Sequence, residues 1–180
     1  AISERLLLEK GLKNSDVLNH PDLNFVFPLF SSKDVASELN KEWLSYISDN
    51  KFPDIVGWMS ASNSSGSQGS VRVKEVESMH RSASLKSFYG KKKVFIIWGG
   101  ELLMTQAANK LLKILEEPPA DCYFIIITRD INEILPTIKS RCQISSLSPA
   151  LPELIEEKIK AINPDLDAKK IASASMGSWG

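Results

Sequence analysis

The chain has 180 residues, and its 22 basic and 22 acidic side chains leave no formal net charge at pH 7. This balance excludes a general electrostatic attraction to nucleic acid or to an anionic membrane, so contacts with DNA have to be local or shared with partners. Two cysteines, Cys122 and Cys142, are too few for a disulfide framework, and no apolar run approaches the ~20 residues of a membrane-spanning helix. We therefore expect a cytoplasmic protein that does not enter a membrane.

The first residues of the chain predict a helix, a turn and a strand. Residues 2–9 have a helical pattern. The segment His20-Pro21-Asp22 predicts a turn, and residues 23–28 alternate and are rich in aromatic and branched side chains, which is typical of a strand.

A second helix, a polar loop and a third helix follow. Ser32 is a plausible N-cap for the second helix, which has four apolar residues on one face: Ala36, Leu39, Trp43 and Ile47. Residues 61–70 have almost no apolar content and predict a mobile loop. The apolar residues between 73 and 83 then indicate the third helix.

The second half of the chain contains two unbroken apolar runs, at residues 94–98 and 123–127. Unbroken runs predict strands that are buried on both faces. The helix between them ends at Glu117, because Pro118 disfavours helical backbone in the residue before it. Its apolar stripe consists of Met104, Ala107, Ala108, Leu111, Leu112 and Leu115. A strand, a helix and a second strand form a unit that predicts a parallel sheet, and therefore an α/β fold.

Two short helical patterns, at residues 151–161 and 165–176, follow the last strand without another strand signal. We therefore divide the chain into an α/β domain, residues 1–148, and the beginning of a small helical domain, residues 149–180. The chain does not start with methionine and its last residues do not form a settled helix end, so we expect a fragment of a longer protein.

The segment from Lys93 to Leu147 resembles the bacterial DNA polymerase III clamp-loader subunits of the AAA+ superfamily. The matching elements are the strands 94–98 and 123–128, the segment Ala108 to Lys113, Leu115-Glu116-Glu117-Pro118-Pro119, and Ser140-Arg141-Cys142. The resemblance implies an AAA+-type parallel sheet flanked by helices, a P-loop NTPase fold that is incomplete at its N-terminus, followed by the start of a helical lid domain.

The nucleotide site that this resemblance implies is defective in the sequence. No glycine-rich phosphate loop occurs in residues 1–180, and in the family it would precede Ala1. The family's Asp-Glu pair for magnesium and water should follow the first buried strand, where this chain has Trp98-Gly99-Gly100 and only then Glu101. We therefore expect no ATP hydrolysis at this subunit's own site and no cofactor or metal of its own, with ATP and magnesium held by neighbouring subunits.

Arg141 is the one candidate catalytic residue. The family includes a delta-prime type of subunit that does not hydrolyse ATP yet keeps the arginine of the Ser-Arg-Cys motif. The resemblance therefore implies that Arg141 acts in trans on ATP bound by a neighbour, where its planar, permanently charged group can contact phosphate oxygens. The alternative is a surface arginine in a weak ion pair.

Five further residues carry smaller expectations. Thr128 occupies the family's sensor position, but without the magnesium carboxylates we expect a structural role. Cys142 is expected to be a small buried apolar residue without chemistry, and His20 to be a turn residue, since no cysteine is near enough for a zinc site. Lys110 and Lys113 are candidates for contacts with DNA phosphates, but a solvated helix face is the more common explanation for such residues.

The resemblance implies a non-hydrolysing delta-prime-like subunit that donates Arg141 and helps to load the sliding clamp onto primed DNA during replication. Its partners would be the gamma/tau and delta subunits in a hetero-oligomer, the sliding clamp indirectly, and DNA within the complex. The alternative is an active gamma/tau-type ATPase in which Glu101 replaces the missing carboxylates. A third hypothesis is an adaptor that binds a partner protein but neither ATP nor DNA.

Overall fold

A computed structural model of the chain describes residues 17–30, 36–50, 53–62, 69–88 and 92–177. The helix predicted at residues 2–9 and its polar neighbours lie outside these ranges. So do the candidate cap Ser32 and residues 63–68 of the predicted loop.

A three-stranded parallel sheet lies at the centre of the described residues. Its strands are β1 (Leu23–Val26), β2 (Lys93–Trp98) and β3 (Cys122–Ile127), in the order β1-β2-β3. In register, Phe25 pairs with Ile96, and Ile96 pairs with Ile125. The predicted α/β class, a parallel sheet flanked by helices, is confirmed.

Helices separate and follow the strands. The first pair is α1 (Asn40–Asp49) and α2 (Ile55–Ala61), and the second is α3 (Val73–Ser84) and α4 (Thr105–Glu116). After β3 come α5 (Pro136–Lys139), α6 (Pro152–Ile162) and α7 (Ala168–Ala174). The second predicted helix differs in one respect, because Ala36–Leu39 forms a 3₁₀ turn before α1 begins.

The main core joins α3 and α4 to one face of the sheet. On α4 the buried residues are Ala107, Ala108, Leu111 and Ile114. The first three confirm the predicted stripe, whereas Ile114 was not predicted and the predicted Met104 is exposed. The buried residues of α4 pack with β2 and α3 residues such as Phe95, Val76 and Met79. α4 runs from the end of β2 back to the start of β3. Its packing on the sheet therefore fixes the end of β2 relative to the start of β3.

A second core is built from aromatic rings around α1 and α2. The Trp58 side chain is fully buried, and its ring meets those of Phe27 and Trp43 edge-on at 5.0 and 5.1 Å. Its indole Nε1 donates a hydrogen bond to the carbonyl oxygen of Pro28 at 2.9 Å. This cluster supports the chain just beyond β1, next to the end of β2.

The two apolar strands differ in burial. β2 is buried along most of its length, as predicted, but β3 is not, since Tyr123 and Ile127 are 37% and 45% exposed. The prediction that β3 is buried on both faces is therefore wrong for the described residues. The reason is topological, because β3 pairs only with β2 there and is an edge strand of the sheet.

The last described residues form a helical pair. Residues 143–151 have no regular structure, and α6 and α7 then pack on each other through Ile155, Ala168 and Ala172. The amide of Ala150 donates to the carbonyl oxygen of Gly177 at 2.9 Å, which joins the two ends of the pair. Among the helices of the described ranges, none has the length and apolarity required to cross a bilayer.

Candidate functional site

The ends of β2 and β3 lie side by side, because the two strands are parallel neighbours and Trp98 is paired with Ile127. The chain after β2 turns through Gly99 into the 3₁₀ turn Gly100–Leu102. The chain after β3 continues into Thr128. This edge of the sheet is where the resemblance places the magnesium carboxylates and the sensor residue.

Two glycines at this edge are constrained by their surroundings. Gly99 has a φ of +75°, a left-handed conformation that L residues rarely adopt, and a Cβ there would lie 2.8 Å from Cγ of Pro28. A Cβ on Gly100 would lie 2.6 Å from Cγ2 of Ile126 in β3. The local backbone therefore leaves no room for a pair of carboxylates without rearrangement.

Glu101 and Thr128 meet at the same edge. The Thr128 hydroxyl lies 2.8 Å from Oε2 of Glu101 and 3.0 Å from the carbonyl oxygen of Asp130, and its single proton can be donated to either acceptor. Both residues are half-buried. The contact gives Thr128 a structural partner and fixes one oxygen of Glu101. Among the residues with described positions, no group of three or more His, Cys, Asp and Glu side chains converges as a metal site would require.

Arg141 lies just after α5, where the amide of Arg141 closes the last turn on the carbonyl oxygen of Ile138 at 3.0 Å. Its Nη1 donates to the carbonyl oxygen of Thr137 at 2.9 Å and lies 3.3 Å from Oγ of Ser140. Its Nη2 lies 2.5 Å from Oε1 of Glu116, the last residue of α4. The arginine side chain remains 35% exposed.

The structure thus brings together the two most distinctive sequence motifs. Glu116 belongs to the Leu-Glu-Glu-Pro-Pro segment and Arg141 to Ser-Arg-Cys, and their contact is not among the features expected from the sequence. No local pattern could have revealed the pair, since β3 and α5 separate the two residues in sequence. The available signal was only that a carboxylate at a helix C-terminus is unfavourable without a cationic partner.

The remaining candidates have ordinary environments. Cys142 is half-buried against the main core, and burial raises the pKa of its thiol, which disfavours the reactive thiolate. His20 accepts a hydrogen bond from the amide of Asp22 at its Nδ1, at 3.1 Å, as a turn residue does. Lys110 forms an ion pair with Glu77 of α3, whose pKa it lowers through a hydrogen bond and its charge, while Lys113 is exposed.

One buried carboxyl, that of Glu75, is not among the residues expected to be special from the sequence. Glu75 of α3 is only 4% exposed, and desolvation raises its pKa to about 7, against the opposing effect of a hydrogen bond from the amide of Ala36 at 2.5 Å. It lines a polar cavity of about 130 Å³ beside β1, together with Asn24, whose Nδ2 is buried without a hydrogen-bond partner among the described residues.

Comparison with known proteins identifies the family. A family profile described as DNA polymerase III, delta subunit, matches residues 13–150, which is more than half of the chain. The chain belongs to this family. The match includes the glycines after β2, the pair Glu101 and Thr128, and the pair Glu116 and Arg141.

Individual relatives carry names from the same complex. The chain is 33% identical over 90 residues to DNA polymerase III subunit delta′ of Bacillus subtilis, covering 50% of this chain and 27% of that protein. It is 36% identical over 94 residues to subunit delta′ of Escherichia coli, covering 49% and 28%. It is also 40% identical over 98 residues to subunit gamma/tau of Mycoplasma genitalium, covering 51% and 16%.

The match spans little more than a quarter of the length of the two delta′ relatives. Among solved structures, a gamma subunit-related protein of Thermotoga maritima aligns with a TM-score of 0.45 and 19% identity. That alignment covers 91% of this chain and 57% of the other.

Proposed function

We propose that this chain is part of a delta-prime-like subunit of the DNA polymerase III clamp loader. The subunit does not hydrolyse ATP itself, and Arg141 acts as an arginine finger on ATP held by a neighbouring gamma/tau subunit. In this role it works in the cytoplasm with the gamma/tau and delta subunits, and it helps to load the sliding clamp onto primed DNA.

One observation carries the proposal: the chain has an exposed arginine, Arg141, but no room for the magnesium carboxylates after β2. The guanidinium of Arg141 is partly exposed. Its Nη2 contacts Glu116, and its Nη1 donates to the carbonyl oxygen of Thr137. The edge of β2 has Gly99 and Gly100 in positions that do not accommodate acidic side chains. An exposed arginine in a chain whose β2 edge lacks magnesium ligands suits a subunit that contributes to a neighbour's reaction.

The chemistry expected of Arg141 is electrostatic. During phosphoryl transfer, negative charge is spread over the oxygens of the transferred group, and a guanidinium can donate two hydrogen bonds to them while compensating the charge. Such an arginine supplied in trans contributes about 10³ to 10⁵ in turnover.

The test is ATP turnover in the reconstituted complex with Arg141→Ala, Arg141→Lys and the control Arg81→Ala. Arg81 is exposed on α3 and forms no described hydrogen bond or ion pair with Arg141 or with Glu116. We expect at least about a 10³-fold loss of DNA-stimulated turnover for Arg141→Ala with assembly intact. Arg141→Lys should be impaired too, because lysine lacks the planar fork, and Arg81→Ala should behave as wild type. Wild-type turnover and clamp loading with Arg141→Ala would refute the finger role and favour a simple adaptor.

A second candidate function is supported by the contact between Glu101 and Thr128, which lie 2.8 Å apart at the edge where the family's catalytic carboxylates are expected. In this alternative the full-length subunit is an active gamma/tau-type ATPase with Glu101 as its acidic residue. Magnesium-dependent hydrolysis by the purified full-length subunit, abolished by Glu101→Gln and unaffected by Glu133→Gln at an exposed site, would favour it. Absence of hydrolysis would exclude it.

A further inference from the structure

Glu116 occupies a position that is unfavourable for a carboxylate. It is the last residue of α4, where the helix dipole presents its negative end, and Glu117 follows it directly. Its side chain is 48% exposed, so burial does not explain its presence. The contact that compensates for this position is the ion pair with Arg141.

The pair leaves a defined part of the guanidinium available. Nη1 has two acceptors, Thr137 O and Ser140 Oγ, and Nη2 has one, Oε1 of Glu116. An arginine has five N–H groups, so Nε–H and one N–H of Nη2 have no acceptor within the described part of the chain. Each of these two N–H groups can donate to an oxygen of a phosphate.

We propose that Glu116 is a positioning residue for Arg141, an inference that rests on the proposed function of Arg141. Glu116 fixes the guanidinium through Nη2, while Nε–H and the second N–H of Nη2 remain available to contact the neighbour's nucleotide. The helix that carries Glu116 is held on the sheet by the buried residues Leu111 and Ile114, so the carboxylate is attached to a rigid support.

Positioning by Glu116 lowers the conformational entropy that Arg141 loses when it contacts the nucleotide. Arginine loses many rotamers when it is fixed in one geometry. Contacts with Glu116, Thr137 and Ser140 fix those rotamers before the nucleotide is reached. The negative charge of Glu116 partly offsets the positive charge of Arg141, so Glu116 does not strengthen the attraction of ATP. We therefore expect Glu116 to affect kcat, through the geometry of Arg141, rather than the KM for ATP.

The experiment measures kcat and the KM for ATP of the reconstituted complex with Glu116→Ala, Glu116→Gln and the control Glu117→Ala. Glu117 is the adjacent exposed glutamate, and it forms no ion pair with any described residue. Each substitution is also combined with Arg141→Ala, and assembly is checked by size-exclusion chromatography.

For Glu116→Ala we expect kcat to fall about 3- to 5-fold with KM unchanged, which is the scale of a partly exposed ion pair. Glu116→Gln should recover part of the loss, because its amide oxygen still accepts from Nη2, and Glu117→Ala should have no effect. In the Arg141→Ala background, Glu116→Ala should cause no further loss.

Three results would overturn the inference. The first is wild-type or increased kcat with Glu116→Ala although Arg141→Ala abolishes turnover, which would leave the finger role standing. The second is an equal further loss in the Arg141→Ala background, which would indicate a structural role for Glu116. The third is wild-type turnover with Arg141→Ala, which would refute the proposed function and this inference together.

Discussion

The guanidinium of Arg141 is bonded to the carboxylate of Glu116, with Nη2 lying 2.5 Å from Oε1. Both side chains are partly exposed, at 35% and 48%. Ion pairs of this kind add little to stability, because water screens the charges and ordering the two side chains costs entropy. The pair is therefore better understood through geometry than through the free energy of folding.

We predict that Arg141→Ala changes the free energy of unfolding by less than about 1 kcal/mol. The matched control is Ile138→Ala in the adjacent α5, where the side chain is 2% exposed and its truncation should cost about 2–5 kcal/mol. Urea denaturation of the two variants checks both values. A loss above 2 kcal/mol for Arg141→Ala would mean that its effect on turnover cannot be separated from folding.

The pH dependence of stability should carry a contribution from Glu75. Its pKa is about 7 in the folded protein and 4.5 ordinarily, with burial as the main cause. Between these values the unfolded chain releases the proton while the folded chain keeps it, so stability falls as the pH rises from 4.5 to 7. Below pH 4.5 both states are protonated and the contribution vanishes.

We therefore expect Glu75→Gln to be more stable than wild type at pH 8, by up to about 3 kcal/mol, and close to wild type at pH 4.5. Urea denaturation at the two pH values measures the difference. Glu77→Gln is the contrasting control, because the pKa of exposed Glu77 is lowered by Lys110 and its substitution should weaken the fold at neutral pH. A Glu75→Gln variant that is less stable than wild type at pH 8 would contradict the raised pKa of Glu75.

The glycines after β2 provide a third prediction. Gly99→Ala should destabilise the fold by about 1–3 kcal/mol, because a side chain is strained at its φ of +75°. Gly100→Ala should cost about 1–3 kcal/mol through overpacking against Ile126. Urea denaturation checks both, with Thr105→Ala at an exposed site expected to stay within about 0.5 kcal/mol of wild type. Wild-type stability for both glycine variants would show that this edge has room for side chains.

The two buried tryptophans should respond differently to phenylalanine. Trp58 Nε1 donates to the carbonyl oxygen of Pro28, whereas Trp43 Nε1 is buried with no hydrogen-bond partner among the described residues. Trp58→Phe leaves a carbonyl oxygen without its donor, so we expect it to cost about 1–2 kcal/mol more than Trp43→Phe. Thermal or urea denaturation of the pair gives the difference. Equal losses would indicate that packing of the rings alone determines stability here.

The sequence predicted what is local. The apolar run of β2 and the stripe on α4 determine burial through nearest neighbours and helical spacing, and both were confirmed. The burial of β3 was not predictable from its own residues, because it depends on which strands lie beside it. The same holds for Glu75, which lies in α3 between the apolar residues Val73 and Val76 and is enclosed by a segment distant in sequence.

The candidate site was predicted in its parts rather than in its arrangement. Arg141 and the glycines after β2 were selected from motifs, and their functional roles stay predictions. The contact between Glu101 and Thr128 depends on the parallel pairing of β2 and β3. The ion pair between Glu116 and Arg141 depends on how α5 returns to the end of α4. Contacts of this kind appear only when the chain is folded.

The hydrogen bond from Ala150 to Gly177 closes the C-terminal helical pair on itself, while residues 143–149 before it have no regular structure. That stretch joins Cys142 to the pair without a helix or a strand. The described contacts of the Arg141 side chain are with Glu116 at the end of α4, with Thr137 of α5 and with Ser140. We therefore expect the orientation of Arg141 not to depend on how α6 and α7 are placed.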